Sequence, residues 1–209
     1  SEMCIRDRAG AALLRANGHP DAHPCGLADA RALAHARATL DVRLAALAAG
    51  LSVETQRERP YTAPDGSDAV LRPDNLIALP DGTQALFETE QAADLTLLRR
   101  ILQGVRRKAA FFQSEAARGI SLTVRVLINL PRGSAWEKTV RVWERATAIV
   151  AEDQDGDLPF RLLAMPLFEF LDRPDWCEPP DEGRWEPLFD PAQMPTFEPV
   201  APSRREGPP

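Results

Sequence analysis

Residues 70–90 read VLRPDNLIALPDGTQALFETE, two apolar runs on either side of Pro80-Asp81-Gly82. Proline suits the first central position of a type I turn, aspartate the second, and glycine the left-handed position that follows. The spacing therefore predicts a hairpin closed by a three-residue loop with a bulge. That turn sets the register: Leu79 faces Thr83, and counting back pairs Ala78 with Gln84, Leu76 with Leu86 and Asp74 with Glu88. The strand period of two puts Glu90 on the face of Glu88. Three carboxylates, Asp74, Glu88 and Glu90, are thereby expected in one cluster.

Downstream of the hairpin the period changes. Leu98, Ile101, Leu102, Val105, Ala109 and Phe112 form the apolar stripe of a helix expected to run to about Arg118. Arg100 and Arg107 lie opposite the stripe, Arg99 and Arg106 flank one edge and Lys108 the other, so the helix offers cations at its borders. Leu122–Leu130 reads as a strand, Trp136–Val150 as an amphipathic helix and Phe160–Met165 as a further strand. Upstream, Asp29 is a plausible N-cap for a helix with Leu33, Arg37, Leu40, Leu44 and Leu47 at helical spacing, stopped by Gly50. Leu51–Arg57 reads as a short strand. The order implies one α/β domain over residues 29–172, a mixed central sheet flanked by helices.

The two ends read differently from the middle. Ser1–Arg8, SEMCIRDR, looks like translated sequencing adapter and is set aside, so residues 1–28 are expected to be an artefactual start joined to the remnant of a truncated region. Residues 173–209 are rich in proline and acid and are expected to be largely disordered, with Trp176, Trp185, Leu188 and Phe189 able to pin their first part to the core. At 209 residues and 44% hydrophobic the chain can bury a core, and no run of about 18 apolar residues suggests a membrane span. Three scattered cysteines form no disulfide framework and point to a cytoplasmic setting. A net charge of -6 argues against a histone-like binder of nucleic acid.

Like charges on neighbouring strands repel unless something compensates them. A hard divalent cation is the economical compensation: Mg²⁺ takes one or two carboxylates and fills its shell with water and phosphate oxygens, which suggests phosphodiester chemistry. Arg72-Pro73-Asp74, a short strand and hairpin, Phe87-Glu88-Thr89-Glu90 and an Arg-rich helix together resemble the plasmid replication-relaxation family. His35, followed along its helix by Asp41-Val42-Arg43, adds to the similarity, which covers roughly His35 to Leu171.

The resemblance implies a divergent PD-(D/E)XK nuclease core of the restriction-endonuclease-like type, in a bacterial plasmid or mobile-element setting. DNA is the implied partner, with replication or relaxosome proteins beside it. Asp74 and Glu88 are the expected Mg²⁺ ligands, with Glu90 and Lys108 completing the catalytic set and Arg99, Arg100, Arg106 and Arg107 meeting phosphates. The chain departs from the family pattern at Glu90, which stands where the nuclease lysine belongs. Lys108, Arg99 or Arg100 on the adjoining helix are the candidates for a migrated cation. The family's N-terminal winged-helix domain is expected to survive only as a trace in residues 10–29.

The same residues also read as structure alone, with Asp74 capping a turn, Glu88 and Glu90 solvated at a strand end and the arginines a solvated face. The expectation is therefore a Mg²⁺-dependent nicking activity on DNA, with a non-catalytic DNA- or partner-binding module of the same fold as the alternative. His19, His23 and Cys25 lack a fourth zinc ligand, and Asp153, Asp155 and Asp157 lack the glutamate of a calcium loop. Trp136 and Trp143, seven apart on one helix, are expected in the core.

Overall fold

A computed structural model describes residues 4–5, 23–24, 30–55, 58–91, 97–154, 156–177, 180–181 and 183–189 of the chain. The expectations for most of residues 1–28, including the zinc-like spacing, and for residues 190–209 lie outside the described residues. Cys4–Ile5 (β1) and His23–Pro24 (β2) form a two-residue parallel pair apart from the main sheet.

The body is mixed α/β. Helix α1 (Ala30–Ala48) leads into β3 (Val53–Thr55), a small hairpin of β4 (Arg59–Thr62) and β5 (Asp68–Leu71), then β6 (Asn75–Ala78) and β7 (Gln84–Glu90). Helix α2 (Leu97–Phe112) crosses to β8 (Ile120–Ile128), α3 (Ser134–Glu152) crosses to β9 (Arg161–Pro166), and α4 (Leu167–Asp172) and β10 (Glu186–Pro187) follow. The six-stranded sheet runs β10-β9-β8-β7-β6-β3, parallel from β7 to β9 and antiparallel elsewhere.

The central hairpin has the register that its turn dictates. Ala78 pairs with Gln84 and Leu76 with Leu86. Gly82, at φ +87°, donates its amide to the Leu79 carbonyl, and the Leu79 amide reaches the Thr83 carbonyl at 2.8 Å. Asp81 accepts from the Thr83 amide and hydroxyl and locks the corner.

One apolar run proves to be two strands. Pro73 has no amide proton to give to a ladder, and the chain breaks at Arg72-Pro73-Asp74. Val70 and Leu71 pair with Pro60 and Arg59 in the separate two-stranded sheet, while Asn75 starts the central one.

Strand alternation divides the core into two layers. Leu76, Leu86, Val124, Val126 and Leu162 face α2 and α3. Ile77, Ala85, Phe87, Leu127 and Leu163 face α1 and α4. Trp136 and Trp143 are buried in the first layer as expected. Helix α2 stops at Phe112 instead of continuing to Arg118: Phe111 packs edge-to-face on Tyr61, Phe112 stacks on Phe160, and the Ser114 hydroxyl bonds back to the Phe111 carbonyl.

The larger correction concerns α1. Its leucines do not face the sheet: Leu33, Leu40, Leu44 and Leu47 are exposed, and Ala38, Val42 and Ala46 are buried instead. Small residues let the helix lie close to the sheet, and the leucines occupy the opposite side.

The chain from Arg173 onward returns to the core. Trp176 packs on Phe87 and Phe170, Trp185 is buried with its indole N–H on Asp175, and Leu188 is fully enclosed. Arg125 of β8, also fully buried, donates to the Cys177 carbonyl at 2.7 Å and lies 5.3 Å from the Phe87 ring centre.

Candidate functional site

The end of β7, the residue before β6, the start of α1 and the middle of α2 meet around a cleft of about 300 Å³. Three carboxylates enter it, each for a local reason. Glu88 and Glu90 share the α2 face of β7 by strand alternation. Asp74 comes from the break after Pro73, where the ladder ends at the Asn75–Phe87 pair and the side chain turns to Thr89 near the end of β7.

Each carboxylate has a different partner. Asp74 is held at both oxygens: His35 Nε2 lies 3.1 Å from Oδ1, while the Thr89 amide at 2.8 Å and hydroxyl at 3.0 Å donate to Oδ2. Burial works against ionising Asp74, but the His35 and Thr89 hydrogen bonds outweigh it and hold the carboxyl below the ordinary carboxylate range. The same hydrogen bond raises the His35 imidazole above its usual value, against the opposing pull of burial. The second ring nitrogen, Nδ1, lies 3.3 Å from the Thr89 hydroxyl, which also meets Thr39 at 2.8 Å.

Glu88 is different. The Lys108 ammonium stands 3.0 Å from Oε1, an ion-pair contact rather than a well-directed hydrogen bond. Burial pushes the Glu88 carboxyl above its ordinary value, with Asp74 adding to the rise and Lys108 pulling against it. Glu90 accepts from Arg100 at 2.7 Å and from the Gln91 amide at 2.8 Å. Gly104 lies one turn before Lys108, and a Cβ there would meet Nζ at 3.9 Å, an ordinary van der Waals contact.

No protein-family model, curated protein or solved structure matches the chain.

The fold brings Asp74, Glu88, Glu90, Lys108, Arg100 and Arg107 to one cleft. It does not bring Arg106 there, which pairs with Asp153 of α3 at 2.7 Å, nor does Arg99 line it. Of the three cations proposed to replace the missing lysine, Lys108 alone contacts Glu88 and Arg100 contacts Glu90. His35, Lys108 and Arg100 each face one acid. Among the described residues no group of three or more His, Cys, Asp or Glu side chains is placed to hold a metal ion.

Sequence reasoning gave His35 and Thr89 no role in the site. Thr89 was legible only as the odd residue between two acids. His35 lies in the stripe of Ala38 and Val42, so placing the sheet-facing side of α1 correctly would have pointed to it.

The His35–Asp74 pair gives a pH signature. Asp74 is lowered, so its contribution is present above the unfolded value of about 3.8 and is lost as pH falls through the folded one. His35 is raised, so its contribution is complete below about 6.5 and is lost as pH rises through the folded value. His35→Ala should therefore cost most stability between those limits. Urea unfolding of both proteins at mildly acidic and at alkaline pH checks it, and a stability gap larger at alkaline pH would contradict the pairing.

Proposed function

We propose that this chain is a DNA-handling protein of the plasmid replication-relaxation type, a bacterial cytoplasmic protein whose cleft serves metal-dependent phosphodiester cleavage, or nicking. The observation that carries the reading is Lys108 on the adjoining helix, 3.0 Å from Glu88. It puts an ammonium beside the acids although Glu90 occupies the usual lysine position. The acids stand on a rigid sheet and the cations on one helix, so the cleft has an acidic floor and a basic wall formed by Arg100, Arg107 and Lys108.

The donor set is all oxygen, and Glu88 Oε1 is a buried acceptor without a well-directed hydrogen bond. Both features suit Mg²⁺ bound by Asp74 and Glu88, with water and phosphate oxygens completing its shell. When bound, such an ion would stabilise charge developing on phosphorus. The chain's own part is to orient the acids. His35 and Thr89 fix Asp74, Arg100 fixes Glu90, and Arg107 lines the cleft where it would meet a phosphate. Among the described residues no helix is long and apolar enough to cross a membrane.

One observation favours the second reading, a non-catalytic DNA- or partner-binding module: every acid already faces a protein cation. Calorimetric titration of Mg²⁺ or Mn²⁺ into the wild type and Asp74→Ala, with supercoiled-plasmid nicking in parallel, separates the two. Nicking and metal binding that both disappear in the variant are expected. A wild type that neither binds metal nor nicks sinks the enzyme and leaves the module.

A further inference from the structure

Trp136, Trp143 and Trp185 are buried, and an indole N–H taken out of water needs an acceptor. Two of the three have one. The Trp136 indole donates to Glu186 at 3.2 Å and the Trp185 indole to Asp175 at 3.0 Å. Trp143, in the middle of α3, is the exception: it is 5% exposed, and its Nε1 has no hydrogen-bond partner among the described residues. It is also the one of the three that lines the cleft.

The rest of the cleft selects the chemistry of the missing acceptor. Trp143 shares the space with Lys108 and Arg107 of α2. The Lys108 ammonium carries three N–H donors and makes a single contact, with Glu88. Arg107 is exposed at the cleft and pairs with no carboxylate among the described residues. Asp74 and Glu90 have their acceptor oxygens engaged by His35, Thr89 and Arg100. The cleft therefore offers more N–H donors than its own oxygens take up, and two of the donor groups are cations. A water or carbonyl oxygen answers the indole but leaves the charge of Arg107 unmet. An oxyanion answers both, and a tetrahedral phosphate has oxygens for several donors at once.

From this we infer that Trp143 is a substrate-binding residue, its indole N–H donating to a nonbridging oxygen of a phosphodiester that Arg107 and Lys108 draw into the cleft. The inference rests on the phosphodiester reading of the cleft and adds to it a phosphate subsite made by protein donors alone. Packing of α3 on α2 holds the ring in place, so the donor is oriented before the ligand arrives. Nε1 is shielded from bulk water, so a ligand has to reach the floor of the cleft to meet it.

An NMR titration of the whole chain in EDTA tests this, following the indole N–H signals as the dinucleotide d(TpT) is added. The Trp143 signal, assigned through bonds, should move downfield and saturate while those of Trp136 and Trp185 stay in place. The uncharged methylphosphonate analogue of d(TpT) should leave it unmoved. Arg107→Gln should weaken binding about tenfold, as should Trp143→Phe, which keeps an aromatic ring and removes the N–H. Should Trp143→Phe fail to fold, the wild-type titration and Arg107→Gln still decide. A Trp143 signal unmoved by millimolar d(TpT), a shift shared by all three buried indoles, an equal response to the methylphosphonate, or unchanged binding in Arg107→Gln overturns the inference. No metal and no cleavage enter the readout. A protein that fails to nick but shows the shift loses the enzyme and keeps the subsite, and one that nicks without the shift loses the subsite alone.

Discussion

Lys108→Met is expected to lower stability by about 3 kcal/mol at pH 8, more than any other single change in the cleft. Methionine keeps the aliphatic bulk in a position that is 6% exposed, so the loss is electrostatic. What remains is Glu88, a largely buried carboxylate whose ion-pair partner is gone. The pH dependence identifies the cause. Burial already raises the Glu88 carboxyl above 4.5, so the folded state holds a proton to higher pH than the unfolded chain does. Stability from such a group is complete below 4.5 and declines as pH rises through the folded value. Without Lys108 that folded value rises further, and the deficit of the variant should grow with pH. Adding Glu88→Gln removes the charge and should recover most of the loss. Urea unfolding at pH 5 and pH 8 decides the matter: equal deficits at both, or a double variant no better than the single one, would show that Lys108 acts through packing.

Phe87→Ala should cost about 4 kcal/mol, the range for removing a large buried aromatic side chain. Phe87 is wholly enclosed, one residue before Glu88 and on the opposite face of β7. Its ring lies 5.6 Å from those of both Phe170 and Trp176, and the buried Arg125 guanidinium sits over it. The alanine leaves a cavity beneath the returning segment after Arg173 and takes away the surface on which Trp176 rests. The denaturation midpoint should fall steeply, and tryptophan emission of the native state should shift to the red as Trp176 is wetted. A loss below about 1 kcal/mol with unchanged emission would place the anchoring of that segment elsewhere.

Legibility in the sequence follows the range of the interactions involved. The β6–β7 register was legible from the turn back to Leu76 and Leu86, because proline, aspartate and glycine specify their turn locally and the period of two does the rest; the pairing expected of Asp74 with Glu88 does not form, since Pro73 ends the ladder at Asn75–Phe87. The face of α1 was not, since its leucines and its alanines repeat with the same helical period, and size favours the leucines only if nothing must come close. Here the sheet does, and the small residues win. Lys108 could be named as one of three candidate cations, but the choice among them needed the angle at which α2 crosses β7. Arg106 looked equivalent to its neighbours until α3 brought Asp153 beside it. His35 contacts Asp74 across 39 residues and Thr89 across 54, separations at which no motif spacing gives a signal.

The hairpin also bears on the order in which charge is assembled during folding. Asp74 and Thr89 are 15 residues apart and Glu90 and Arg100 only 10, so both contacts are local to the hairpin and the helix that follows it. Lys108 reaches Glu88 within the same stretch of chain. His35 is the remote partner, 39 residues before Asp74, and needs α1 to dock from the other side of the sheet. Contacts of long sequence separation are the slow kind. On this ordering the two glutamates meet their cations early, and Asp74 is the acid that waits for its partner until the second core layer closes.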